Sequence, residues 1–515
     1  MSTQQSQPEL KSRSVVSCFI FSVEKATLRV ALFQRTPIAG NINAHESPLA
    51  AAWREIQEET TLTTQQLEFW RYGKPYSFSD PAVGRKWTIH PLAFRFRDTE
   101  GSDLDNSMIK IDWEHEDWGW YRPENVMSDE KFGGIPRLAK SLGRVWFERE
   151  MPQGSSQALQ SCLEELQINQ QRASNELTSI ALKGFRDVLV HLDSDPKWWD
   201  TTRMAAWHIW KNGHESMAVG TLNALLAALR DIEDVIDRNL DNETRWDRVL
   251  AVLDHNLAEH RMLPSRIQES FVDYLQRHYI STANTQSRQK LTILTLSANS
   301  TIRDGLLDAL ASTPISHLDI HILESRPHFE GATMASSLVA ESEAKFISSP
   351  HRVVKVTVHT DASAALASIN VDLVLIGADW ISSSGCVSSK TGSLPAVLSA
   401  KHISPNSKVL ILGESEKVSY MDREAHHECR ECDPTEVMST WLNSGIKGVN
   451  ILQGSQDLDP EASTCTTRVK NVYFEWVPAD LIDGYVCEDG TVDVSVIQQR
   501  AREVKKRSNR YFESL

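Results

Sequence analysis

The feature that most limits what this chain can fold into lies between residues 291 and 412. Five apolar runs, Leu291–Leu296, Leu318–Leu323, Val353–Val358, Val371–Ile376 and Lys408–Leu412, alternate with helix-forming stretches such as Ile302–Ala311, Ala362–Ile369 and Leu394–Lys401. Short runs that are apolar almost throughout suit strands buried on both faces. Strands separated by helices in this way predict a parallel sheet covered on either side. Ligands in such folds gather beyond the carboxyl ends of the strands. There the sequence places Ser297 and Asn299 after the first strand, Arg326 after the second, Asp379 after the fourth and Lys390 shortly beyond. Small polar residues, two cations and an acid converging at one end of a sheet form a candidate pocket for a sugar phosphate or nucleotide. No G-x-G-x-x-G follows the first strand and no phosphate-loop lysine motif occurs. That argues against a dinucleotide cofactor and against a P-loop NTPase.

A second stretch carries the clearest chemistry. Leu49 to Glu59 contains only helix-compatible residues, with no Pro or Gly. On that helix Glu55, Glu58 and Glu59 fall at i, i+3 and i+4, so the carboxylates share one face. Their mutual repulsion, roughly 0.2–0.5 kcal/mol per pair, is relieved by a hard divalent cation that takes oxygen ligands. Gly40, Glu46, Arg54-Glu55-Ile56, Glu58-Glu59 and Leu62 stand at fixed spacing and resemble the signature of the Nudix hydrolases. The resemblance implies cleavage of a nucleoside diphosphate linked to another moiety, with Mg²⁺ or Mn²⁺ as cofactor. It implies catalytic and metal-holding roles for Glu55, Glu58 and Glu59, with Gly40, Glu46 and Arg54 supporting the loop. The pattern departs at one position, where Thr61 replaces a glycine. A left-handed residue ending the helix would suit glycine and suits a β-branched residue poorly.

Val15–Ser22 and Leu28–Gln34 read as a hairpin, and Phe69–Ser77 and Lys86–Phe96 as further strands. Glu114 and Glu116, ahead of the aromatic run Trp118–Tyr121, are candidates for another metal ligand or a base. Residues 1–13 read as a disordered tail, 14–150 as the Nudix domain, 151–174 as a linker running into a helical segment and 175–282 as a helical bundle. The whole is therefore expected as an α/β protein: an N-terminal α/β/α sandwich, a helical bundle, then a Rossmann-like parallel-sheet domain over 283–515. A net charge of −15 disfavours general binding to nucleic acid or anionic membranes. Seven scattered cysteines suit free thiols in the cytoplasm, and no apolar run is long enough to span a membrane.

From about residue 175 to 500 the chain resembles the alpha, beta and delta subunit family of translation initiation factor 2B. That family includes methylthioribose-1-phosphate and ribose-1,5-bisphosphate isomerases. The stretches carrying the resemblance are those at the strand ends, Gly413-Glu414-Ser415-Glu416-Lys417, and the closing segment Asn471 to Gly490. In the isomerases a catalytic cysteine follows the first strand, where Ser297 stands here. An arginine that binds phosphate is replaced by Glu215. Asp379, matching the catalytic acid, and Lys390 are retained. The resemblance therefore implies a non-catalytic sugar-phosphate- or nucleotide-binding module, and self-association through this half. Two alternatives stay open: a regulatory or assembly protein with an inert Nudix domain, and an isomerase lacking the usual cysteine. If the substrate were ADP-ribose, its product ribose 5-phosphate would suit the second half. Residues His426 to Cys432 offer H-x-x-C-x-x-C, read as a surface loop rather than a zinc site, and the basic run Arg500 to Arg510 as a solvated helix face or frayed tail.

Overall fold

The computed structural model describes residues 10–24, 27–34, 38–97, 108–127, 137–168, 174–193, 195–213, 218–238, 241–280, 289–422, 432–456 and 467–515. The chain divides into two compact units, Met1–Leu257 with Asn509–Leu515, and Ala258–Ser508.

The first unit is built on one mixed sheet of β1 (Lys11–Glu24), β2 (Thr27–Phe33), β3 (Ala39–Asn41), β4 (Leu67–Tyr72), β5 (Tyr76–Asp80), β6 (Arg85–Phe96) and β7 (Trp118–Tyr121). Its order is β4-β6-β1-β2-β7, with β3 paired to β1 and β5 to β6. Alternation along β1 sorts its side chains to two faces. Val16, Cys18 and Ile20 pack with Ala51, Ala52 and Ile56 of α1 (Pro48–Thr60). Phe19 and Phe21 pack on the other face with Leu138, Leu142 and Val145 of α2 (Leu138–Val145). The expected α/β/α sandwich is thus present.

Two boundary expectations change. Lys11, Ser12 and Arg13, placed in a tail by their polarity, lie in β1 opposite Arg85, Lys86 and Trp87 of β6. Parallel pairing satisfies their backbone whatever their side chains are. The stretch expected as a linker contains α3 (Gln153–Ile168), which buries Leu159, Cys162, Leu163 and Leu166. It packs on α4 (Ser174–Leu189) so closely that a Cβ on Gly184 would fall 2.2 Å from Cys162 Sγ. α5 (Trp198–Asn212), α6 (Ala218–Ile236) and the start of α7 (Asn242–Leu275) complete the helical part of this unit.

In the second unit α7 contributes Ile267, Phe271 and Leu275 to the core. The strands are β8 (Lys290–Leu296), β9 (His317–Leu323), β10 (Val353–His359), β11 (Leu373–Gly377), β12 (Trp380–Ile381), β13 (Val387–Lys390), β14 (Lys408–Leu412), β15 (Phe474–Val477), β16 (Gly484–Cys487) and β17 (Gly490–Val492). The main sheet runs β10-β9-β8-β11-β14-β16-β17, and β12-β13-β15 form a small antiparallel sheet. It is parallel as far as β16, with β17 added antiparallel. Neighbouring residues of β8 feed opposite cores, Ile293 one and Leu294 the other, as expected of a strand covered on both sides. The helices are α8 (Ser300–Ser312), α9 (Glu330–Phe346), α10 (Ala364–Ala367), α11 (Ser393–Ile403), α12 (Pro434–Asn443), α13 (Val449–Gln456) and α14 (Val494–Phe512). The basic run Arg500 to Arg510 lies within α14, where Arg500 bonds Asp489 at 2.6 Å. No helix among the described residues is long and apolar enough to cross a membrane.

Candidate functional site

α1 begins where Ser47 accepts the Ala50 N–H at 3.1 Å, with Pro48 in the first turn. It ends at Thr61, whose φ of 61° is left-handed and whose N–H donates to Gln57 O at 3.0 Å. The departure from glycine noted in the sequence therefore falls on the residue that needs glycine's freedom. Ala51, Ala52 and Ile56 face the core, while Glu55 lies against Gly40 of β3 and Glu58 is exposed.

Arg54 organises the carboxylates. Its Nε and Nη2 grip the two oxygens of Glu46 at 3.0 and 3.1 Å, a forked pair that also fixes Nη2 on Asn41 O at 3.0 Å. Its Nη1 donates to Glu55 Oε1 at 2.6 Å and to Glu58 Oε2 at 3.3 Å. The Arg54 hydrogen bond holds the Glu46 carboxyl below the usual range. Gly40 is a place of close approach, since a Cβ there would lie 1.7 Å from Glu55 Oε1.

Glu59 stands apart from this group. It is buried, accepts the Ala39 N–H at 3.3 Å and lies 2.8 Å from His115 Nε2. Burial pushes its carboxyl above the usual range, with the His115 hydrogen bond working the other way. The structure thus gathers Glu55, Glu58, Glu46 and Arg54, and directs Glu59 inward. Among the described residues, no group of three or more His, Cys, Asp or Glu is gathered to hold a metal. Sequence reasoning singled out Glu114 and Glu116 and passed over His115, the residue between them. Its burial between Phe33 and the Glu59 carboxylate was not visible in a polar run.

In the second unit the predicted pocket residues separate into two groups. Ser297, left-handed at φ 60°, donates its N–H to Ser325 Oγ at 2.8 Å. Its hydroxyl donates to Glu330 Oε2 at 2.5 Å, and Lys390 Nζ reaches Glu330 Oε1 at 2.9 Å. Although burial opposes charge on Glu330, the Ser297 hydroxyl and the Lys390 ammonium hold its carboxyl below the usual range. A recess beside them is lined by Ser325, Arg326, His328, Glu330, Lys390 and Tyr473. Arg326 stays at its rim, bonded through Nε to Glu324 at 2.7 Å and half exposed.

Asn299 acts differently, accepting the Ile302 N–H at 3.0 Å as the cap of α8. Asp379 has its carboxyl withdrawn from solvent, and burial pushes it up to about 6 against the pull of Lys417 and Lys390. Nearby Lys417 pairs with Glu414 at 2.8 Å, and Glu416 lies 2.9 Å from the buried His260. Glu475 accepts the N–H groups of Gly392 and Leu394 at 2.6 and 3.0 Å. Glu215 and residues 426–431 of the H-x-x-C-x-x-C run lie outside the described residues.

Residues 11–141 match the model of the NUDIX domain, and residues 263–494 that of the initiation factor 2 subunit family. Among curated proteins no match is found. Among solved structures, the translation initiation factor eIF-2B of Pyrococcus horikoshii OT3 aligns at 17% identity and a TM-score of 0.43, over 65% of this chain and 96% of that one. The tetrameric eIF2B-beta2-delta2 complex from C. thermophilum aligns at 14% identity and 0.46, over 72% and 100%. The 5-methylthioribose 1-phosphate isomerase of P. horikoshii OT3 aligns at 15% identity and 0.42, over 68% and 87%. The chain therefore joins a NUDIX domain to a domain of the initiation factor 2 subunit family.

Proposed function

We propose that the NUDIX domain hydrolyses a nucleoside diphosphate derivative, and that the second unit is a non-catalytic module for a sugar phosphate or nucleotide, or for self-association. The observation that carries the hydrolase reading is the convergence of Glu55 and Glu58 on one cationic nitrogen, Arg54 Nη1. A pair of oxygen donors already focused on a positive charge fits Mg²⁺ or Mn²⁺. Glu55 and Glu58 would hold the ion, and Glu59 would join them only by leaving His115. When bound, the ion neutralises charge developing on the diphosphate. Arg54 keeps its grip on Glu46 through Nε and Nη2 while Nη1 gives way. Glu55, the less exposed of the pair, accepts the proton of the attacking water, and Gly40 leaves room for its carboxylate.

The test is turnover of a panel of ADP-ribose, NADH, diadenosine polyphosphates, CoA and nucleoside triphosphates with Mg²⁺. Turnover of one that collapses in Glu58→Gln is the expected result. Absence of turnover across the panel would favour the inert-domain reading. In the second unit, the non-catalytic reading is supported by Ser297, Glu330 and Lys390 engaging one another rather than leaving a nucleophile free.

A further inference from the structure

On the face of the first unit's sheet opposite α1, cations collect that form no ion pair among the described residues. Arg137 at the start of α2, Lys140 one turn on and Arg144 at i+7 form a stripe along that helix. The stripe lies against β5. Lys140 Nζ is 4.4 Å from the Tyr76 ring centre, Arg144 is 5.7 Å from the same ring, and Arg137 is 3.5 Å from that of Phe78. Lys74, just ahead of β5, belongs to the same group. Burial and the neighbouring Arg144 draw its ammonium below the usual range, and Glu513 only partly offsets them. Lys140 is lowered as well, by burial and then by Arg144 and Arg137. Arg144 Nη1 is buried without a hydrogen-bond partner among the described residues.

This arrangement is costly as it stands. Like charges at helical spacing repel, and the first turn of a helix disfavours cations. A buried guanidinium nitrogen without an acceptor adds the desolvation of a charged donor. An anion bound across these groups would relieve both costs. The cations of α2 span seven residues, about 10 Å along a helix, which is longer than a single phosphate. Guanidinium and ammonium groups spaced in that way match a row of phosphate oxygens, and the aromatic rings beneath hold the cations in place.

We propose that Lys74, Arg137, Lys140 and Arg144, laid over Tyr76 and Phe78, bind a small anion carrying two or three linked phosphates. The site is separate from the α1 carboxylates and does not depend on the hydrolase reading. Isothermal calorimetry of the full chain with tripolyphosphate in EDTA tests it. Binding is expected for the unaltered protein and equally for Glu55→Gln/Glu58→Gln. It should weaken by roughly tenfold or more in Lys140→Glu, whose exposed side chain makes misfolding a poor explanation, and fall with added salt. Arg137→Ala gives a second exposed variant with the same expected direction. No heat from the unaltered protein, or equal affinity in Lys140→Glu and Arg137→Ala, would overturn the proposal. So would loss of binding in the double glutamine variant, which would place the anion at α1. Equal binding of citrate would overturn the assignment to phosphates.

Discussion

Thr61 offers a direct measure of what the chain gives up at the end of α1. Its φ of 61° and ψ of 4° lie in the left-handed region, its residue is exposed, and its N–H closes the helix on Gln57 O. A left-handed conformation costs an L-residue roughly 1–2 kcal/mol, and β-branching makes it worse. Glycine removes that strain but returns roughly 0.5–1 kcal/mol through the greater freedom of the unfolded chain. Thr61→Gly should therefore stabilise the first unit by about 1 kcal/mol, a rise of about 2–4 °C in Tm for a domain of this size. Thr61→Ala removes the same hydroxyl and methyl but keeps the strain, so it separates conformation from contact. Thermal unfolding of both variants, followed by circular dichroism, is the assay. If Thr61→Ala proves as stable as Thr61→Gly, the backbone argument is wrong.

Gly40→Ala should lower any metal-dependent turnover strongly while leaving the fold intact, because its Cβ would occupy the place of Glu55 Oε1; kinetics alongside a melting curve check this. Asp379→Asn should leave stability unchanged near about pH 4 and raise it by up to about 3 kcal/mol near about pH 8, read by denaturant titration at each pH. The sign follows from a carboxyl raised from 3.8 to about 6, whose stabilising protonated form is lost as pH climbs through that value. The Arg71–Glu148 ion pair has both side chains 2% exposed, so Arg71→Met alone should cost about 3–5 kcal/mol in urea unfolding. Arg71→Met with Glu148→Leu should recover most of that loss.

How much could be read beforehand followed the range of the interactions. Spacing along one helix put Glu55 and Glu58 on a common face, because helical periodicity fixes what lies at i+3, whereas their shared contact with Arg54 was not read beforehand. The strands of the second unit were legible because a run buried on both faces is apolar throughout. Glu59 was not legible in its role. Position on the helix put it with its neighbours, but the partner that turns it inward, His115, lies 56 residues away. Glu330 escaped for the same reason, standing 33 residues from Ser297 and 60 from Lys390. Only the start of α3 was hidden, by Ser, Gln and Gly in its first turns, where burial on α4 outweighs weak propensity.

Each candidate site is held together by a charge of the chain's own, and the two cases differ in consequence. At α1 the internal partner is a single guanidinium nitrogen shared between two carboxylates, one with its side chain 59% exposed. Such a contact is worth about 1 kcal/mol or less, and a divalent ion brings twice the charge to the same oxygens. Displacing Arg54 Nη1 costs little further, because Nε and Nη2 remain anchored on Glu46. Between Ser297 and Lys390 the internal partner is a carboxylate, and its lowered pKa keeps it charged through neutral pH. An incoming phosphate would face that charge at short range, where two like charges at ~4 Å repel by about 4 kcal/mol near a protein surface. It would also compete for the one ammonium already engaged. The first arrangement is poised to exchange its cation, whereas at the second an anion must first displace Glu330 from Ser297 and Lys390. That asymmetry supports placing the chemistry at α1 and, for the second unit, favours self-association over sugar-phosphate binding.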